Sequence, residues 1–154
     1  MHLHCMARGE LLEERLTQSV IGAFYEVYNT LGYGFLEHVY RVALERELRD
    51  RGHRVARESG VRVMYKGAEL TSQRLDMIVD EKLIVELKST RELHPSAARQ
   101  VYNYLKSTNL ELALLLHFGP EPKFHRIIHR AHQKWAPPSP VPDIQEKTET
   151  DASG

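Results

Sequence analysis

Apolar positions change period along the chain, and the changes mark out its elements. From Leu11 to Leu31 the residues Leu16, Val20, Phe24, Val27 and Leu31 recur at three and four, with Ile21 and Tyr28 beside them, which predicts an amphipathic helix. Gly32 should stop it, because a glycine after the last turn accepts the left-handed conformation without a Cβ clash. A second helix is predicted from Phe35 to Arg51, with Leu36, Val39, Tyr40, Ala43 and Leu48 inward and Gly52 ending it. Its outer face pairs Arg41 with Glu45, Glu45 with Arg49 and Glu47 with Arg51 at i,i+4 spacing, each pair adding roughly 0.2–0.5 kcal/mol.

The pattern then turns to strands: Val55 to Tyr65, a turn at Lys66-Gly67, Ser72 to Val79, and Leu83 to Lys88, read as a three-strand meander. Pro95 and Ser96 open a helix to Ser107. An apolar strand, Leu112 to Phe118, follows, and after Gly119-Pro120 a last strand runs from Phe124 to Ile128. The order α-α-β-β-β-α-β-β predicts an α/β fold. Residues 1–10 read as a flexible leader, 11–135 as one domain, and 136–154, with four prolines and little apolar content, as a disordered acidic tail.

Composition agrees with a single core, since 42% of the 154 residues are hydrophobic and 27% charged. The longest apolar stretches, such as Ala113 to Leu116, fall far short of the ~20 residues a membrane-spanning helix needs, so a cytoplasmic protein is expected. Cys5 is the sole cysteine and cannot form an internal disulfide. Lys plus Arg equal Asp plus Glu at 21 each, which removes the global positive field of an indiscriminate nucleic-acid binder. Any grip on nucleic acid must be local.

The segment from Leu75 to Lys88 carries the chemistry. In a strand, residues two apart share a face, so Glu86 and Lys88 project together. A hairpin centred on Glu81 sets Asp76 opposite Glu86 with both carboxylates facing one way, whereas a two-residue turn at Glu81-Lys82 would send them to opposite faces. A three-residue connection or a bulge is therefore predicted. Two carboxylates and an ammonium on one face suit phosphodiester hydrolysis: hard oxygens hold Mg²⁺, or Mn²⁺ in its place, and the lysine activates water and stabilises charge on phosphate oxygens. Taken alone, the triplet reads more readily as an ion pair on a solvated sheet face.

The downstream helix shifts that balance. Gln100 and Tyr104 are i,i+4 neighbours that can reach the same site, although Tyr104 also suits a core and Gln100 a surface. Glu37, in the first turn of the second helix, can bring a further carboxylate to the metal directly or through water, although the helix dipole alone favours an acid there. His117, His125, His129 and His132 read as structural or surface residues, Arg41 and its neighbouring arginines as a solvated face, and Trp135 as a cap on the core.

These residues resemble the GxxExxY protein family, a branch of the PD-(D/E)XK nuclease superfamily. The naming motif stands as Gly34-Phe35-Leu36-Glu37-His38-Val39-Tyr40, and the nuclease-like signature as Asp76 followed by Glu86-Leu87-Lys88. The likeness covers roughly residues 15–130 and includes Val27 to Gly32 and Leu116 to Gly119. It implies a restriction-endonuclease-like core, a mixed central β-sheet flanked by α-helices. It also implies Glu37 as the helical acid beside Asp76, Glu86 and Lys88, with Gln100 and Tyr104 similar to the accessory motif of the recombination nucleases. The expected function is metal-dependent hydrolysis of DNA or RNA. The alternative is a catalytically silent nuclease-fold module that binds nucleic acid or a protein partner, and a homo-oligomer is neither favoured nor excluded.

Overall fold

Two helices lead into a sheet that a third helix crosses. The computed structural model describes residues 4–57 and 60–130, with the backbone alone for residues 4–12; Trp135, His132 and the proline-rich tail lie outside the described residues. The elements are α1 (His4–Leu31), α2 (Glu37–Asp50), β1 (Val55–Arg57), β2 (Gly60–Tyr65), β3 (Ala68–Arg74), β4 (Met77–Val79), β5 (Leu83–Lys88), α3 (Ala97–Lys106), β6 (Leu112–Phe118) and β7 (Pro122–Ile128). The main sheet runs β1-β4-β5-β6-β7, and β2 and β3 form a separate two-stranded ribbon. Only β5 and β6 pair in parallel; the other main-sheet pairs are antiparallel, so the sheet is mixed. Its parallel step is the one that needs a crossover, which α3 supplies. This is the restriction-endonuclease-like α/β arrangement.

The apolar pattern decides which face each helix covers. Along β5, Leu83, Val85 and Leu87 pack with Val20, Phe24, Tyr40, Leu44 and Leu48 of α1 and α2, while Ile84 packs with Val101 and Leu105 of α3. Strand β6 divides in the same way and is buried along its whole length, as a strand covered on both faces must be. Tyr40 stacks on Phe118 with ring centroids 4.3 Å apart, and Phe24 meets Phe118 edge-on at 4.7 Å.

The meander differs from the sequence expectation. The stretch Val55 to Tyr65 divides between two sheets, β1 pairing with β4 and β2 with β3. The stretch Ser72 to Val79 divides as well, because the chain leaves the ladder at Leu75-Asp76. Leu75-Asp76-Met77 keep the alternation across the second break and Arg57-Glu58-Ser59-Gly60 interrupt it at the first, but neither pattern names the strand that each piece pairs with. The Lys66-Gly67 turn does form, with φ of 49° and 79° suited to a two-residue hairpin. Helix α1 is described from His4, ahead of the apolar repeat that begins at Leu11, in a stretch rich in good helix formers.

Three buried side chains fasten the elements that frame the site through their polar atoms. Gly32 ends α1 with φ 72°, and the buried Tyr40 hydroxyl donates to Gly32 O at 2.6 Å and accepts from Phe35 N–H at 3.2 Å, fixing the loop that leads into α2. The buried Glu45 carboxylate takes Arg49 and Arg57, tying α2 to β1. The His117 ring lies 2.6 Å through Nε2 from Thr90 O, which anchors the chain leaving β5.

Candidate active site

The site starts from a register. Met77 pairs with Val85, Ile78 with Ile84 and Val79 with Leu83, leaving Asp80-Glu81-Lys82 as the connection. Asp80 and Glu81 both take positive φ, 52° and 59°, which turns the chain in three residues and keeps the hairpin centred on Glu81. Asp76 then falls opposite Glu86.

The two acids hold each other's backbone. Asp76 N–H donates to Glu86 Oε1 at 2.9 Å, and Leu87 N–H donates to Asp76 Oδ2 at 2.8 Å. Each carboxylate thus spends one oxygen on an amide across the pair, which holds the two acids side by side as hard-oxygen donors of the kind that fit a divalent cation. Glu86 is 7% exposed. Burial, and next the negative charge of Asp76, push its carboxyl from the ordinary 4.5 up to about 8, with Lys88 pulling the other way. Burial and the neighbouring Asp76 thus disfavour a second negative charge on the pair.

The remaining expected residues surround this pair. Lys88 lies on the Glu86 side of β5 and lines a cavity of about 670 Å³ with Thr90, His94, Ser96 and Gln100. Gln100 also borders a second cavity of about 430 Å³ with Tyr104, Asn103, Val63 and Gln73, so it stands between two clefts. Burial and the charges of Glu86 and Asp76 raise the Tyr104 phenol above its usual range, which places that ring near both acids.

Glu37 opens α2, and its carboxyl is raised by burial and by Asp76, so it too feels the site. It does not complete a cluster of three ligating acids. Among the described residues no three His, Cys, Asp or Glu side chains converge on a metal position. Between Glu37 and Asp76 stands Arg41, with Nη2 3.2 Å from Glu37 Oε1 and Nε 3.3 Å from Asp76 Oδ1. The expected Arg41–Glu45 pairing is thus replaced, because the start of α2 approaches the turn before β4. The Glu37–Arg41 i,i+4 spacing was the available sequence signal; the tie to Asp76 is a tertiary one.

A second constellation lies away from these acids. Ser19 Oγ is 2.7 Å from His53 Nε2, His53 Nδ1 is 2.7 Å from Asp80 Oδ2, and Arg54 N–H donates to Asp80 Oδ1 at 2.8 Å. The order matches a nucleophile, base and orienting acid. Ser19, however, sits inside α1, where neighbouring N–H groups are committed to the helical ladder and offer no paired donors to an oxyanion. The chain of bonds clasps α1 to the α2–β1 loop and the β4–β5 turn.

A mixed sheet flanked by helices, carrying two cross-anchored acids with a lysine two residues on, defines an α/β domain of the restriction-endonuclease-like class. The family model for the PD-(D/E)XK nuclease superfamily matches residues 14–130, and the chain belongs to that superfamily. No curated protein matches the chain. A solved structure described as "Crystal structure of SSO0001" is similar at 18% identity and a TM-score of 0.49, over 79% of this chain and 61% of that one. This chain therefore spans less than two thirds of that structure's chain. No helix among the described residues is long and apolar enough to cross a membrane.

Proposed function

We propose that this protein is a divalent-metal-dependent nuclease, hydrolysing DNA or RNA phosphodiester bonds at the Asp76–Glu86–Lys88 centre. The observation that supports it best is the cross-anchoring of Asp76 and Glu86, which holds their carboxylates side by side as donors for a cation. Mg²⁺, with Mn²⁺ as a substitute, would supply the Lewis acid that offsets charge on the phosphate. Asp76 and Glu86 would hold it, with Glu37 assisting through water. Lys88, beside the acids and open to the cleft, would assist water attack and stabilise developing negative charge on the phosphate. Gln100 and Tyr104 border the clefts through which a strand would pass and would position it.

Within the superfamily we place the chain in the GxxExxY branch. Gly34 adopts φ 112°, Glu37 begins α2, and Tyr40 staples the loop between them, so each residue that names the motif has a physical task. The second reading is a silent nuclease-fold module that binds nucleic acid or a protein without turnover. It draws on the missing third acid and on Arg41 beside Asp76.

One assay separates the two. Labelled single- and double-stranded DNA and RNA are incubated with wild type, Asp76→Ala and Lys88→Ala, with Mg²⁺, Mn²⁺ or chelator. Metal-dependent cleavage that both substitutions abolish is expected; binding without cleavage in every arm would sink the enzymatic reading.

A further inference from the structure

The site already holds a cation, and it is part of the chain. Arg41 reaches Asp76 through the carboxylate oxygen that Leu87 N–H leaves unused, Oδ1, and reaches Glu37 through Oε1. These are oxygens that an incoming metal would seek. Yet the grip on Asp76 is not a well-made one. The Arg41 Nε hydrogen is buried and finds no hydrogen-bond acceptor in good alignment, so its 3.3 Å approach to Asp76 is an ion contact rather than a directed bond. Arginine holds a carboxylate most firmly through two parallel N–H bonds, and that fork is absent here: Nε faces one acid and Nη2 the other.

We propose that Arg41 is an exchangeable internal counter-cation of the acid pair, occupying Asp76 Oδ1 until a divalent ion displaces it, and so raising the metal concentration at which the centre fills. This rests on the metal-site reading above. Two features favour displacement over a fixed structural role. The Arg41 side chain is about a quarter exposed, so the guanidinium has solvent to move into, and Glu37 lies on its own helix and can retain it after Asp76 is lost. A divalent ion also carries twice the charge of the guanidinium, and as a hard cation it takes carboxylate oxygens as direct ligands.

The test is Mn²⁺ binding, read by electron paramagnetic resonance and by titration calorimetry, with no nucleic acid present. Wild type, Arg41→Met, Arg41→Gln, Arg41→Lys and Asp76→Asn are compared, each checked for folding by its thermal transition. Removing the guanidinium should tighten Mn²⁺ binding about tenfold in both Arg41→Met and Arg41→Gln, and Arg41→Lys should return it toward wild type because the charge is restored. Asp76→Asn should abolish it. Unchanged or weaker binding in the two folded neutral variants, while wild type binds and Asp76→Asn does not, overturns the exchange and leaves the metal site standing. Absence of Mn²⁺ binding in wild type and in both neutral variants overturns the metal site and the exchange together.

Discussion

Glu86→Gln should stabilise the metal-free protein, and by an amount that depends on pH in a defined direction. A carboxyl whose folded value is raised contributes stability that is present below its unfolded value and is lost as pH climbs through the folded value. For Glu86 that window runs from 4.5 to about 8. The loss amounts to less than about 1 kcal/mol at pH 5, roughly 3 kcal/mol at pH 7 and roughly 5 kcal/mol at pH 9. Glutamine has the shape of the protonated acid. Its carbonyl can still accept from Asp76 N–H, its amide can donate toward the Asp76 carboxylate, and it has no charge to bury. Urea unfolding of both proteins in chelator at pH 5, 7 and 9 should therefore give curves that coincide at pH 5 and separate as pH rises, the variant becoming the more stable. Saturating Mg²⁺ should reverse the order at pH 8 by stabilising wild type alone, since a ligand that binds only the folded state adds stability by mass action. A variant less stable than wild type at pH 9 in chelator would refute the argument, because the buried carboxylate would then be holding the fold together rather than straining it.

Other substitutions probe the frame around the site. Tyr40→Phe leaves Gly32 O and Phe35 N–H without their buried partner and should cost about 1–3 kcal/mol by denaturant unfolding. At Gly119 an added Cβ would stand 2.6 Å from the ring of His117, which is buried and held by Thr90 O, so Gly119→Ala should cost about 1–3 kcal/mol on the same measurement. Burial pushes the Asp80 carboxyl up, but the His53 hydrogen bond and the Arg54 N–H together outweigh it and bring it below 3.8. A depressed acid contributes stability present above its unfolded value and lost as pH falls through the folded one; wild type should lose this contribution in acid, and Asp80→Asn should lack it already at pH 7, as thermal melts at pH 7 and pH 3 would show.

What the sequence reveals of this molecule depends on whether the signal is local. Strand β6 matches its apolar run from Leu112 to Phe118, and α3 lies within the span opened by Pro95 and Ser96, because burial on both faces and a helix start are written in adjacent residues. The Asp76–Glu86 register was legible for a similar reason: a period of two and an odd connection leave one arrangement with both acids on one side. Partner choice was not legible. Nothing in Val55 to Tyr65 says that its first residues join β4 and its last join β3, and nothing in the charge ladder of α2 says that Arg41 turns to an acid on another element. Those facts belong to the approach of distant segments.

The break that periodicity missed is also what equips the site. Were Asp76 inside an unbroken strand, its N–H would serve either a neighbouring strand or solvent, and its side chain would stand perpendicular to the sheet. The chain instead leaves the ladder at Leu75-Asp76, so the Asp76 N–H turns to the Glu86 carboxyl and the Asp76 carboxylate to the Leu87 N–H. Two side chains replace a rung of backbone pairing. That substitution places two acids together beside the buried α3 face, where their charges oppose each other, and the raised Glu86 carboxyl and the contact from Arg41 are two local responses to the same repulsion. Such repulsion would favour the divalent cation proposed above, because binding it would relieve the cost of holding two acids together.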